Sequence, residues 1–216
     1  MRRISTQLLS RNGRGDPAEV PSPRRRSRNV PFRPTSRPLG MTAAALKDLF
    51  ERKRRAMLRR PAFGRSSGQA RTRLAGDLCC DVEEAAWRTR IDQTPDEGGT
   101  GTAPHPGQMM RASLVACLAM GYRMWGARLD VAIDQVEIEV VCESDVRGQL
   151  GFEDVTVGWK RIVVDVCITS VAPDADVRQV VATADRFSPM LANLSPAIER
   201  VHRLRVVDAR AGVGGR

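Results

Sequence analysis

The sequence predicts an α+β domain, a two-layer α/β arrangement in which a mostly antiparallel sheet packs on a long central helix. Short stretches that alternate apolar and polar residues are typical of half-buried strands. Two stretches carry apolar residues at helical spacing. Their order along the chain is strands, long helix, strands, helix and strand, which favours helices packed on one sheet layer. With 216 residues, the chain is long enough for one such domain and additional terminal segments.

The positive charge is concentrated in the N-terminal third of the chain. Residues 1–73 contain 20 Lys and Arg against 4 Asp and Glu, whereas the remainder contains 15 against 21. Residues 1–40 combine Pro, Ser and Arg with little apolar surface to bury, so we predict a disordered basic extension. Residues 41–68 are predicted to form a basic helical arm, with four apolar residues roughly on one face: Leu46, Leu49, Phe50 and Met57.

The strands of the domain are predicted between residues 69 and 208. "LCCDVEE" and "WRTRID" are close enough to form a hairpin, although "AA" between them is a weak turn signal. "RIVVDVCITS" and "RVHRLRVV" are predicted as further strands, and residues 209–216 as a flexible tail. "QVEIEVVCE" is predicted as a half-buried strand whose core-facing residues are Val136, Ile138, Val140 and Cys142.

Two helices are predicted within the domain. The loop "TPDEGGTGTAPHPG" leads into a long helix that begins near Pro104 and Pro106, positions where a helix tolerates proline. Apolar residues also lie off its main stripe, so we expect this helix to be buried on most sides. The stripe is formed by Met110, Leu114, Cys117, Leu118, Gly121 and Trp125. "PDADVRQVVATADRF" predicts a second helix, whose buried side is Val177, Val180, Val181 and Ala184.

Several classes of protein fit the sequence poorly. Five cysteines without framework spacing favour reduced thiols in a cytoplasm over a secreted disulfide scaffold. No apolar run approaches the ~20 residues of a membrane span. The N-terminus lacks the apolar stretch of a secretory signal. Its Arg- and Ser-rich composition is similar to that of an organelle transit peptide. His105 and His202 are far apart and no C-x-x-C occurs, so we expect no metal and no cofactor.

Cys117 lies in the apolar middle of the long helix, where its residue type alone leaves two interpretations open. A cysteine among apolar residues usually packs as a small hydrophobic side chain. A reactive cysteine instead needs a nearby cation or a helix N-terminus to favour its thiolate. Because Cys117 is several turns from Pro104, an arginine from another element would have to supply that charge.

The stretch "GGTGTAPHPGQMMRASLVACLAMGYRMWGARLDVAIDQVEIEV" resembles the central part of the OsmC/Ohr family, the osmotically inducible and organic-hydroperoxide-resistance proteins. In that family a Gly- and Pro-rich loop leads into a long helix that carries an Ala-Cys pair, and a strand follows. The likeness continues through "DVRGQLGFEDVTVGWKRIVVDVCITSVAP" and "VRQVVATADRFSPMLANL" and so covers about residues 70 to 207. It implies an OsmC-like fold for residues 69–208 in an intertwined homodimer.

The resemblance also implies a chemistry. It places the family's peroxidatic cysteine at Cys117, whose thiolate would reduce an organic hydroperoxide and become a sulfenic acid. This chain diverges at two positions: Ser188 stands where the family has its second, disulfide-forming cysteine, and Gln108 stands where a glutamate is frequent. The family's thiolate-stabilising arginine is matched to Arg73, with Arg71 and Arg147 as alternatives.

Three functions follow from these patterns. The first is a peroxiredoxin-like organic hydroperoxide reductase that uses Cys117 alone and an external thiol or dithiol, in oxidative or osmotic stress defence. The second is a weakly active or inactive OsmC-like sensor or binding protein, which the loss of the second cysteine favours. The third is a nucleic-acid binder that uses the basic tail. We favour a solvated tail instead, because Phe32, Phe50 and Phe63 are its only aromatic residues for stacking on bases.

Overall fold

The structure of the protein is a computed structural model that describes residues 40–74 and 76–212. Except for Gly40, the basic extension predicted over residues 1–40 lies outside the described residues. Residues 213–216 of the predicted C-terminal tail also lie outside them.

The first described element is helix α1, Ala43–Arg59, within the arm predicted to be helical. The hydroxyl of Thr42 caps it by accepting a hydrogen bond from the backbone N–H of Ala45 at 3.2 Å. A short 3₁₀ turn, Pro61–Gly64, follows. Four apolar residues were predicted to share one face of α1. Of these, Leu46, Leu49 and Phe50 are partly buried, whereas Met57 is 41% exposed.

An antiparallel sheet of three strands comes next, with β1 at Ala70–Arg73, β2 at Cys79–Glu84 and β3 at Trp87–Asp92. The predicted hairpin between β2 and β3 is confirmed. Its two-residue turn uses alanine despite the weak signal, and Ala85 adopts a left-handed φ of 49°. Such a backbone conformation is normally supplied by Asn, Asp or Gly in two-residue hairpins.

This first sheet has no apolar core of its own. Every residue of β1 is exposed, and in β2 and β3 only Asp92 is fully buried. Trp87 is 80% exposed. A three-stranded sheet needs a buried apolar face to be stable in water, and residues 40–74 and 76–212 of one chain do not provide that burial for this sheet.

The long helix α2, Pro106–Arg128, begins at a capping box. The ring of His105 accepts a hydrogen bond from the backbone N–H of Gly107, and the side chain of Gln108 accepts one from the backbone N–H of His105. Pro106 occupies the first helical position, as the sequence predicted. The buried face of α2 consists of Leu114, Leu118, Tyr122, Gly126 and Ala127.

The expectation that α2 is buried on most sides is wrong for a single chain. Met110, part of the predicted stripe, is 46% exposed, and Met120 is 65% exposed. Ala112 and Ala116 are also exposed, so one side of the helix presents small and apolar residues to solvent. The reason is geometric: in the described part of one chain, the second sheet, the later helices and α1 together leave this side of α2 uncovered.

The second sheet contains β4 at Gln135–Ser144, β5 at Trp159–Ser170 and β6 at Glu199–Asp208, in that order. Strands β4 and β5 are antiparallel, whereas β5 and β6 are parallel. The parallel pair is reached through two helices, α3 at Asp174–Arg186 and the short α4 at Pro189–Ala192. The architecture is therefore α+β and mostly antiparallel, as predicted.

The main core lies between the second sheet and helices α2 and α3. Residues at alternating positions of β4 and β5 point toward the helices, and every predicted inward residue of β4 packs on this core. All four residues predicted for the buried side of α3 are buried. The largest fully buried side chains of the core are Tyr122, Leu114, Ile162, Ile168, Val177 and Val180.

Candidate functional site

The candidate site is centred on Cys117, which lies on the side of α2 that faces the start of α4. Its Sγ atom is 3.9 Å from the Oγ atom of Ser188, a contact between residues 71 positions apart in sequence. Cys117 is partly buried and Ser188 is 7% exposed. Within the part of the chain that the structure describes, this hydroxyl is the one hydrogen-bond partner of the Cys117 thiol.

Ser188 has a second, structural role that fixes the orientation of its hydroxyl. It is the N-cap of α4, and its Oγ accepts a hydrogen bond from the backbone N–H of Leu191 at 3.3 Å. A hydroxyl that accepts in this way keeps its own proton for donation. The Ser188 O–H is therefore placed to donate to a thiolate at Cys117.

A polar cluster around the buried Tyr122 holds the backbone that carries Ser188. The hydroxyl of Tyr122 donates to Oδ1 of Asp185 at 2.9 Å, and Nδ1 of His202 lies 3.2 Å from Oδ2 of the same carboxylate. Burial raises the pKa of Tyr122 far above its ordinary value, and the charge of Asp185 adds to this effect. The carbonyl of Asp185 also accepts from the backbone N–H of Ser188 at 3.2 Å. Helix α2, the end of α3 and strand β6 are thereby joined beside the site.

The loop that leads into α2 is organised by Asp92, the last residue of β3. Its carboxylate, 1% exposed, accepts hydrogen bonds from the backbone N–H and the hydroxyl of both Thr100 and Thr102. These bonds, foremost that from the Thr100 hydroxyl, hold the pKa of Asp92 well below its usual range. The sequence predicts the loop but not this anchor. The backbone N–H of Asp92 also donates to the carbonyl of Pro104, so the start of α2 lies next to the first sheet.

Gln108 does not reach the thiol. It is exposed, and its side chain is part of the helix cap at His105. Cys117 is nine residues further along α2, which corresponds to about 13 Å along the helix axis. In this structure Gln108 fixes the beginning of the helix that carries Cys117.

None of the three candidate arginines contacts Cys117 in the described residues of one chain. Arg73 is exposed at the end of β1, opposite Asp81 in the sheet register, and Arg71 is opposite Glu83. Arg147 is engaged by Asp145, whose carboxylate accepts from its Nη2 at 2.7 Å. Within the described residues, neither Arg71 nor Arg73 therefore supplies a positive charge to the Cys117 thiol.

The other four cysteines are also free thiols. Cys167 alternates with the core residues Val166 and Ile168 along β5, so its side chain points to the face of the sheet away from α2. Cys142 lies on the helix-facing side, where burial raises its pKa and the positive charge of Arg111 opposes that rise. Cys79 and Cys80 are in β2, outside the core of the second sheet.

The described residues contain no group of three or more His, Cys, Asp and Glu side chains arranged to hold a metal ion. Among the helices of residues 40–74 and 76–212, none combines the length and apolar character that crossing a bilayer requires.

Residues 99–201 match the family model described as OsmC-like protein. This part of the chain is therefore similar to OsmC-like proteins. This match includes the loop before α2, the whole of α2 with Cys117, the second sheet as far as the start of β6, and Ser188. No curated protein sequence matches the chain.

Solved structures of OsmC-like proteins share the fold of the domain. An OsmC-like protein from Mycoplasma pneumoniae superposes with a TM-score of 0.58 at 13% identity, covering 66% of this chain and 98% of that one. An organic hydroperoxide resistance protein OsmC from Legionella pneumophila gives a TM-score of 0.52 at 17% identity, covering 65% and 98%. An OsmC-like protein of unknown function from Vibrio cholerae gives 0.54 at 9% identity, covering 65% and 100%. At these identities the likeness establishes the fold.

The sequence does not predict the polar cluster beside Cys117 and Ser188, but one signal points to it. Tyr122 is the single tyrosine of the chain and lies in an otherwise apolar part of α2. A buried tyrosine hydroxyl usually has a hydrogen-bond partner. The sequence does not reveal that the partners are Asp185 and His202, because both are brought there by the packing of α3 and β6.

Proposed function

We propose that the protein is a thiol-dependent peroxidase that reduces organic hydroperoxides with Cys117 as its single reactive cysteine. One observation carries the proposal: Cys117 Sγ lies 3.9 Å from Ser188 Oγ within an OsmC-like domain. These are the two positions at which the resemblance expects a pair of redox-active residues. The names of similar structures, such as the organic hydroperoxide resistance protein of Legionella pneumophila, support the substrate class.

In the proposed first step, the Cys117 thiolate attacks the terminal oxygen of the hydroperoxide. A sulfur–oxygen bond forms, the oxygen–oxygen bond breaks, and the inner oxygen leaves as an alkoxide that takes a proton from water to become the alcohol. Sulfur is oxidised to the sulfenic acid, and the terminal oxygen keeps its hydrogen. The Ser188 hydroxyl, placed to donate, stabilises the thiolate before the attack.

The second step requires a thiol from another molecule. Ser188 has no sulfur to form a disulfide, and the side chain of Cys167 points away from α2. An external thiol attacks the sulfur of the sulfenic acid, which releases water and leaves a mixed disulfide. A second thiol then releases the Cys117 thiol and carries away the disulfide. A dithiol reductant supplies both thiols.

We further propose that the active form is a homodimer in the cytoplasm. The first sheet has no apolar core, and one side of α2 exposes Ala112, Ala116 and Met120. Both surfaces need a covering that the described part of one chain does not provide. A second copy that packs α2 on α2 would cover the exposed helix side and would offer its own first sheet, with Arg73, to the Cys117 site.

Met120→Glu is expected to convert the dimer into a monomer, because a carboxylate would be buried without a partner in the helix–helix contact. We expect the dissociation constant of the dimer to rise about a hundredfold, as measured by light scattering over a dilution series. Val171→Glu serves as the control, because it introduces the same carboxylate at an apolar residue that is 46% exposed in the turn before α3. A wild-type chain that is monomeric at high concentration would contradict the dimer.

The peroxidase proposal is tested by mixing the full chain with cumene hydroperoxide and dithiothreitol. We expect consumption of the hydroperoxide over many turnovers, with release of the alcohol. In the absence of reductant, one oxygen atom should be added per chain, and a sulfenic-acid probe should label the peptide that contains Cys117. Addition to another cysteine, or no addition at all, would contradict the proposed site.

The missing second sulfur also supports a second candidate function, that of a peroxide sensor. A sulfenic acid without a nearby resolving thiol persists longer than one that closes a disulfide at once. If Cys117 is oxidised once but external dithiols restore it too slowly for turnover, the sensor function is favoured. Oxidation and reduction of Cys117 are measured separately in the same assay, so the two functions are distinguished.

Ser188→Cys is expected to restore a disulfide with Cys117. The two side chains are already in contact, and a disulfide needs Cβ atoms about 3.8 Å apart. After one equivalent of hydroperoxide, most of the variant should contain an intramolecular 117–188 disulfide, which is detected by peptide mass mapping without reduction. Ser188→Ala is the matched control and should stop at the sulfenic acid. If Ser188→Cys also stops there, the two positions do not approach each other in solution.

A further inference from the structure

An apolar groove lies between α1 and the C-terminal half of α2, separate from the contact of Cys117 with Ser188. Its volume is about 460 Å³. This is within the range of about 300 to 1,000 Å³ that small-molecule sites occupy. The floor is formed by six apolar side chains, five from α1 and one from α2: Leu46, Leu49, Phe50, Met57, Leu58 and Met124.

Salt bridges and cation–π contacts fix α1 on α2 beside the groove. Arg128 of α2 lies 3.5 Å from the carboxylate of Glu51, and its guanidinium stacks 5.0 Å from the Phe50 ring and 4.6 Å from the Trp125 ring. Lys47, one turn before Glu51 on α1, forms a salt bridge with Asp130, which follows the end of α2. The charge of Arg128 is thus balanced by Glu51, and α1 is fixed on α2 with its apolar residues facing the groove.

Two further cationic side chains line the groove, and no carboxylate among the described residues forms a salt bridge with them. Lys53 and Arg54 are exposed members of its lining. Neither forms a salt bridge within residues 40–74 and 76–212, although the neighbouring Arg52 pairs with Asp48. A groove with an apolar floor and two uncompensated cations is complementary to a molecule with an apolar chain and a negative head.

We propose that this groove binds a single-chain carboxylate amphiphile, a fatty-acid-like molecule. Its acyl chain lies on the apolar floor, and its carboxylate accepts hydrogen bonds from Arg54 and Lys53. The planar guanidinium of arginine matches the two oxygens of a carboxylate, and both bonds are charge-assisted. The site does not use Cys117 and therefore does not depend on the proposed peroxidase activity.

The concave shape favours a free amphiphile over a membrane surface. The floor residues come from two packed helices, and Leu46, Leu49 and Phe50 are partly covered by α2. A helix that binds a bilayer instead presents its apolar face outward, to be buried in the headgroup region. The first half of the apolar face of α1 is turned toward α2, whereas Met57 and Leu58, 41% and 68% exposed, form the open side of the groove. A single acyl chain can lie along this groove, whereas a bilayer cannot reach the residues that α2 covers.

The proposal is tested by calorimetric titration of the full chain with dodecanoate below its micelle concentration. Dodecyltrimethylammonium, which has the same chain and the opposite head charge, is titrated in parallel. We expect one dodecanoate per chain and binding of the cationic analogue that is at least about tenfold weaker, the effect of one charge-assisted hydrogen bond. Cys117→Ser should bind dodecanoate as the wild type does.

The variant Lys53→Glu with Arg54→Glu should weaken dodecanoate binding by about tenfold or more, since both bonds to the carboxylate are lost. Arg55→Glu with Arg59→Glu makes the same change of charge on α1 outside the groove and should shift binding less than about twofold. Circular dichroism verifies that both variants keep the helix. Equal weakening by both pairs, equal affinity for the two detergents, or binding only to phosphatidylglycerol vesicles would overturn the proposal.

Discussion

Replacing Cys117 with serine is expected to abolish reduction of organic hydroperoxides, with a loss of about a thousandfold or more that brings the rate to the uncatalysed background. Serine has nearly the same shape but a hydroxyl that stays protonated at neutral pH, so it cannot attack the hydroperoxide. Because the serine can keep the contact with Ser188, the substitution should leave the packing of α2 on α4 almost unchanged. The loss should therefore appear in the chemical step and not in stability.

The measurement compares hydroperoxide consumption by the wild type, Cys117→Ser and Cys167→Ser with the same dithiol. Cys167→Ser is the matched control because its side chain lies on the opposite face of the second sheet. It should retain most of the activity, and thermal unfolding should show that both variants are folded. Turnover that survives in Cys117→Ser would rule out this residue as the nucleophile, whatever the fold of the domain.

Gly99→Ala is expected to destabilise the domain strongly, by about 3 kcal/mol or more. A Cβ atom at this position would collide with the backbone carbonyl of Gln93 and would lie 2.7 Å from Oδ1 of Asp92. The Gln93 carbonyl already accepts a hydrogen bond from the backbone N–H of Gly101 at 3.0 Å, so it has little freedom to move. The loop would have to shift and release the hydrogen bonds that Asp92 receives from Thr100 and Thr102.

Chemical denaturation of the full chain measures this effect. Gly68→Ala is the control, since a Cβ there meets only the end of the Glu84 side chain at 3.8 Å. It should change the free energy of unfolding by less than about 1 kcal/mol. Equal stabilities for Gly99→Ala and the wild type would show that the loop before α2 does not pack in solution as the structure describes.

The local elements were largely predictable because their signals are local. Alternation of apolar and polar residues gave β4, and helical spacing gave α3 with all four of its buried residues. Pro106 and the loop before it marked the start of α2. The prediction of a helix buried on most sides was wrong because periodicity describes which residues are apolar but not how many neighbouring elements exist to cover them. The exposed side of α2 needs a partner that the described part of one chain does not contain.

The sequence by itself determined the fold class, the resemblance to the OsmC/Ohr family and the choice of Cys117 as candidate nucleophile. Only the tertiary structure decided which side chains surround that thiol. Ser188 reaches Cys117 because α3 crosses back over α2, and Tyr122 joins Asp185 and His202 because β6 returns beside β5. Contacts between residues so distant in sequence depend on the packing of whole elements, which no local pattern encodes. The same packing places α1 beside α2 and creates the apolar groove with its two cations.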